Sequence, residues 1–123
     1  MTAQDLEKHL WKHRLLLIFT SELNSAEVEE QLQLLKEAEK DLAERKVKIY
    51  VISEEAYRKG FSSEDQSGEG ITRISKPFEI VLIGLDGGAK FRSEQVQPVQ
   101  TFNDLIDQMP MRRQELKGKN KKQ

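Results

Sequence analysis

Two periodicities divide the apolar residues of this chain. The run Arg14-Leu-Leu-Leu-Ile-Phe-Thr20 is continuously apolar, as a strand buried on both faces requires. Val47, Ile49 and Val51 instead alternate with Lys48, Tyr50 and Ile52, which predicts a second strand with one wholly apolar face, suited to a sheet edge or near-edge. Between them Val28, Leu32, Leu35, Ala38 and Leu42 recur every three or four residues, so one apolar stripe runs down a helix over residues 25–45. Asn24, followed three residues later by Glu27, fits a capping box for that helix. Leu6, Leu10 and Trp11 are spaced for a short amphipathic helix at the start.

The second half is less regular. Residues 53–77 are rich in Ser, Glu, Gly, Asp and Lys, with scattered apolar anchors at Tyr57, Phe61 and Ile71. They read as a loop centred on 62–70, with room for a short helix before it. Pro77 opens a third strand over 78–84. Asp86-Gly87-Gly88 brings the glycine that a tight hairpin turn needs at positive φ, and 89–92 returns antiparallel. Thr101 is placed to cap a last helix whose inner stripe is Phe102, Leu105, Ile106 and Met109. Pro110 marks its end, with a helical stub over 111–116. The lysine-rich residues 117–123 are expected to form a disordered basic tail, leaving a single domain over 1–116.

Strand, helix and strand within so short a stretch imply a right-handed parallel crossover. A long connection, a hairpin and a helix follow. The prediction is an α/β fold of the thioredoxin-like βαβ–ββα type, with a mixed four-stranded sheet in the order 2-1-3-4 and flanking helices. Periodicity alone reaches only the mixed sheet; the rest is topological analogy.

Two segments carry a family resemblance. Val81-Leu-Ile-Gly-Leu-Asp-Gly-Gly-Ala-Lys-Phe-Arg-Ser93 and Ile106-Asp-Gln-Met-Pro-Met-Arg-Arg-Gln-Glu115 resemble the signature of a thioredoxin-like domain family of unknown function, called P-DUDES. Trp11-Lys-His-Arg-Leu-Leu-Leu-Ile-Phe19 is similar to the first strand of that family. Its members occur in bacteria and in vertebrate extracellular proteins of the Equarin, Drs and Urb group. The resemblance implies a thioredoxin-like fold, remotely peroxiredoxin-like, with no established activity. It also admits an exported, periplasmic or extracellular protein. The opening Met1-Thr-Ala-Gln-Asp5, polar and acidic, has no signal-peptide pattern, so the compartment stays open.

Composition narrows the chemistry. The 20 basic and 21 acidic residues leave a net charge of −1, which argues against a dedicated nucleic-acid binder. The longest apolar run, Leu15 to Phe19, falls far short of the roughly 20 residues of a membrane span. There is no cysteine, so disulfides and thiolate catalysis are excluded. A thioredoxin-like oxidoreductase keeps its sulfur at the start of the first helix. Here that position holds Thr20-Ser-Glu-Leu-Asn-Ser-Ala-Glu27, and Asn24 and Glu27 stand where a Cys-x-x-Cys pair would. Ser21 or Ser25 would need a base at hydrogen-bond distance, and no local histidine supplies one.

Other candidates are weighed the same way. His9 and His13 are four apart, but two ligands without a third make no metal site; a solvated or Trp11-stacked pair is the plainer reading. Asp86-Gly87-Gly88 lies between strands rather than before a helix, so it is a turn and not a phosphate cradle. Lys90 and Arg92 share a strand face, and Arg112 and Arg113 follow the last helix. The four form either a basic patch for an acidic partner or an ordinary charged rim. Pro77 corresponds to the proline before the third strand of thioredoxin-like proteins, where cis and trans are both open.

The candidate binding surface is therefore Thr20, Ser21, Asn24, Pro77, Asp86, Lys90, Arg92, Arg112 and Arg113, with no catalytic, cofactor or metal residue assigned. The function expected is a non-catalytic module binding a protein or peptide. An enzyme of non-thiol chemistry, and a structural domain of an extracellular or envelope assembly, are the alternatives.

Overall fold

A computed structural model describes residues 8–54, 56–62, 64–67, 74 and 76–120. The strands are β1 (Arg14–Thr20), β2 (Val47–Ile52), β3 (Ala56–Lys59), β4 (Gln66–Ser67), β5 (Phe78–Ile83) and β6 (Ala89–Ser93). The helices are α1 (Ala26–Glu37), α2 (Glu39–Glu44), α3 (Val99–Asp107) and α4 (Pro110–Asn120). One mixed sheet runs in the order β4-β3-β2-β1-β5-β6. β1 pairs parallel with β2 and antiparallel with β5, and β5 pairs antiparallel with β6. The fold is α/β, as expected, and β2-β1-β5-β6 reproduces the 2-1-3-4 order. The sheet has six strands rather than four, because β3 and the two-residue β4 form within the stretch read as loop. β3 covers β2, so β2 is not an edge.

Alternation along β1 explains the layering. Leu16 and Ile18 face the helices and join Val28, Leu35, Leu42, Phe102 and Ile106 in the main core. Leu15 and Leu17 face the other way and join Tyr50, Ile52 and Val81 in a smaller cluster. The helices α1, α2 and α3 thus contribute their buried apolar residues to one side of the sheet.

Several boundaries differ from the sequence pattern. The helix over 25–45 is broken at Ala38, where φ is −113° and ψ 25°. The cap of α1 is Ser25, whose hydroxyl accepts from the Val28 N–H at 3.3 Å, and not Asn24. Thr101 lies inside α3, whose first turn follows Pro98 without a side-chain cap. Pro110 separates two helices rather than ending the last one, because at a first helical position its missing N–H costs nothing. α4 continues past Leu116 to Asn120, while 121–123 lie outside the described residues. So do Leu6, Ile71 and much of 62–70. No peptide bond among the described residues is cis, so Pro77 is trans.

Gln31 was not singled out by pattern. It is fully buried on α1 and clamps the loop before α3, accepting from Gln97 N at 2.8 Å and donating to Gln97 O at 2.9 Å. Both ends of a buried amide are thereby satisfied.

Candidate functional site

The nine candidate residues separate into three places. β1 pairs Leu15 with Ile83 and Thr20 with Phe78, so the turn after β5 lies at one end of β1 and Pro77 at the other, roughly 20 Å apart for a seven-residue strand.

At the C-terminal end of β1, Thr20, Ser21 and Pro77 are brought together. The single proton of the buried Thr20 hydroxyl is shared between Glu22 O at 2.8 Å and Pro77 O at 3.1 Å, and its oxygen accepts from Glu22 N at 3.1 Å. Ser21 N donates to Pro77 O at 3.3 Å. Beside this corner is a hollow of about 300 Å³ lined by Ser21, Ser53, Glu54 and Ile74. Asn24 is exposed; its Oδ1 accepts from Arg58 Nη1 at 2.9 Å, tying the loop before α1 to β3. Both histidines sit before β1, so neither can serve Ser21 or Ser25 as a base.

At the opposite end, Asp86 organises the turn. Its Oδ1 accepts from Gly88 N at 2.9 Å and its Oδ2 pairs with Lys90 Nζ at 3.0 Å. The Gly88 N–H first, and then Lys90, hold the Asp86 carboxyl below its usual range. Gly87 takes φ +83°, as the turn requires. Gly84 leaves room for Lys90, whose Cε would lie 2.7 Å from any Cβ added there. Arg92, further along β6 and opposite Val81 on β5, reaches back toward the Pro77 end to Glu79 at 3.5 Å. Lys90 and Arg92 are therefore each paired with an acid rather than forming an unopposed basic patch.

His9 and His13 border a cleft of about 280 Å³ at this end, floored by Leu15, Leu17 and Ile83 and closed by the Gly84–Gly87 turn. The pair is not stacked on Trp11, which is 64% exposed. His9 is buried; its Nδ1 lies 3.0 Å from His13 Nδ1 and its Nε2 2.5 Å from the Tyr50 hydroxyl. No third histidine or acid joins them within metal-binding reach among the described residues. The hydroxyl of Tyr50 was invisible to spacing, because 41 residues separate it from His9.

Arg112 belongs to neither place. It is buried, 2% exposed, and bonds Glu44, Asp107 and Glu115 at 3.1, 3.3 and 3.4 Å. Arg14, fully buried, donates to Arg45 O at 2.8 Å and pairs with Glu115 at 3.2 Å. Arg45 closes the network on Asp107 at 2.9 Å. Burial alone would lower the pKa of Arg112, but its bonds to Glu44, Asp107 and Glu115 outweigh that and raise it. Asp107 is held low, mainly by Arg45. Met109 packs on the main core and Pro110 starts α4, which sets Arg112 and Glu115 one turn apart facing β1. The Met-Pro-Met-Arg-Arg-Gln-Glu string thus locks α4 to the start of β1, the loop after α2 and the end of α3. Arg113 points to solvent on the other side.

Among the described residues no helix is long and apolar enough to cross a membrane. No curated protein and no solved structure matches the chain. Residues 5–115 match the family model of a domain of unknown function, DUF4174. With nearly its whole length inside that match, the chain belongs to the DUF4174 family.

Proposed function

We propose that this chain is a cysteine-free, thioredoxin-like binding module, a single domain that takes a peptide segment of a protein partner at the corner formed by Thr20–Asn24 and Pro77. The thioredoxin-like reading is supported by the β2-β1-β5-β6 order and its parallel β1–β2 crossover. The observation that carries the binding reading is the corner itself. Two chain segments, the end of β1 with the loop after it and the approach to β5, are pinned together there by the Thr20 hydroxyl and the Ser21 amide, beside a hollow of about 300 Å³. A surface already fixed loses little conformational freedom on binding. Ser21, Ser53 and Glu54 offer polar contacts and Ile74 an apolar one, a mixture suited to a peptide. Both histidines lie at the far end of β1, so neither can activate Ser21 or Ser53, which favours binding over catalysis.

The enzyme alternative loses its main motivation, since Arg112 is engaged in an ion-pair network and Arg92 and Asp86 are each paired. The test is selection of peptides from a displayed library on the immobilised chain, followed by calorimetry with Ser21→Trp. Filling the hollow is expected to weaken binding at least about tenfold, or 1.4 kcal/mol. Unchanged affinity would remove the corner from consideration.

A further inference from the structure

The cleft at the other end of β1 is independent of that corner, and its lining is of a different kind. Leu15, Leu17 and Ile83 make an apolar floor, and the two histidines make one polar wall. The walls are clasped: Trp11 N donates to Leu85 O at 2.7 Å, and Leu10 lies against Gly87, whose added Cβ would come within 2.7 Å of Leu10 Cδ2. Trp11 itself is held at φ +63°, a conformation a bulky residue keeps only when its surroundings impose it.

The histidine chain has one open end. His9 uses both ring nitrogens, one on Tyr50 and one on His13. Among the described residues His13 Nε2 has no hydrogen-bond partner. If His9 Nε2–H donates to the Tyr50 oxygen and His13 Nδ1–H donates to His9 Nδ1, then His13 Nε2 is free to accept a proton. That proton can be added without breaking either bond. A second proton on the pair cannot, because two N–H groups would then oppose each other 3.0 Å apart. In that arrangement the pair carries at most one charge, at His13 Nε2.

The charged groups around the pair are mostly cationic. Lys8 and Lys12 flank it on its own segment, and Lys46, Lys48 and Lys59 face it from the turn before β2, from β2 and from β3. Asp86 is the acid on the cleft lining, on the opposite wall, and it is already neutralised by Lys90. Burial first, and then these lysines, keep His13 below its ordinary pKa; burial, His13 and lysines do the same for His9. An anion in the cleft would reverse that pressure.

We propose that this cleft binds a small monocarboxylic acid, aliphatic or aromatic, with its apolar body on Leu15, Leu17 and Ile83 and its carboxylate on protonated His13. The carboxylate accepts from Nε2–H, and the bound anion stabilises the added proton. By reciprocity the acid binds more tightly as pH falls through the His13 transition.

The test is side-chain NMR of the full chain, following the methyls of Leu15, Leu17 and Ile83 and the imidazole of His13. The probes are hexanoate, hexanamide and hexylamine. Saturable methyl shifts are expected with hexanoate alone. The His13 pKa should rise in its presence, and hexanoate affinity should increase at least about fivefold from about pH 8 to about pH 6. His13→Gln should abolish that pH dependence while leaving the melting temperature and far-ultraviolet spectrum in place at pH 8. The wild-type titration stands alone if the variant does not fold. Absence of saturable shifts overturns the proposal. Equal binding of hexanamide or hexylamine, or a His13 pKa that hexanoate leaves unmoved, overturns it as well.

Discussion

At the residue scale, the most informative side chain is Arg112. Its sequence context marks it as particular without saying for what. Spacing shows that Arg112 and Glu115 lie one turn apart, but not that Arg14 and Arg45, far away in the chain, come to meet them. A buried guanidinium is stable only with partners, and removing one partner strands the others. Arg112→Ala is expected to cost about 3 kcal/mol in urea unfolding, toward the low end for buried pairs because Glu44 and Asp107 are partly exposed. Arg113→Ala, on the solvent side of the same helix, should change stability by less than about 0.5 kcal/mol. Equal effects at the two positions would contradict the network. Asp86 was legible as a turn residue because Asp-Gly-Gly has a local mechanism. Gln31 and Tyr50 were not, since their partners are set by tertiary packing.

At the scale of elements, helix type was plain and helix ends were not. The apolar stripe of α1 and α2 runs unbroken through Ala38, so the break there leaves no trace in periodicity. Asn24 and Ser25 are both good capping residues. Ser25 takes the role because Asn24 is drawn away to Arg58 on β3, a strand hidden in a polar stretch. Ser25→Ala should therefore destabilise the fold by about 1 kcal/mol, and Asn24→Ala by distinctly less, since its bond is exposed. Denaturant midpoints for the two variants check this, and the reverse ranking would restore Asn24 as the cap. β3 leaves no apolar pattern in the sequence because Ala-Tyr-Arg-Lys is half-buried and only four residues long. The strands β1 and β5 were legible because strands buried on both faces leave continuous apolar runs.

At the scale of the whole molecule, the absence of cysteine and the order of elements set the class, while the distribution of chemistry had to be seen in three dimensions. Residues grouped as one surface in sequence lie at both ends of β1 and in an ion-pair network beneath α4. His9 ends up buried and His13 half-buried against a sheet face, with lysines around them, which gives the fold a pH response. Their folded pKa values are depressed, chiefly by burial, so the unfolded chain binds protons more readily near pH 6. Their contribution to stability is present above about pH 6.5 and is lost as pH falls through the lower folded values. Asp107, also depressed, adds a second loss as pH falls below about 3.8. The melting temperature should be flat from pH 7 to pH 8, decline below pH 6.5 and decline again in strong acid. A His9→Gln, His13→Gln double variant should lose the first decline and keep the second; a profile unchanged by both substitutions would count against buried neutral histidines.

The proposed binding role places a partner at one particular end of β1. An amide chemical-shift map of the chain titrated with a library-selected peptide tests it directly. Shifts should cluster on Thr20–Asn24, Ser53, Glu54 and Phe78, and leave the amides of His13, Asp86 and Arg112 in place. A map centred on the histidine cleft or the β5–β6 turn, with the corner silent, would contradict the account.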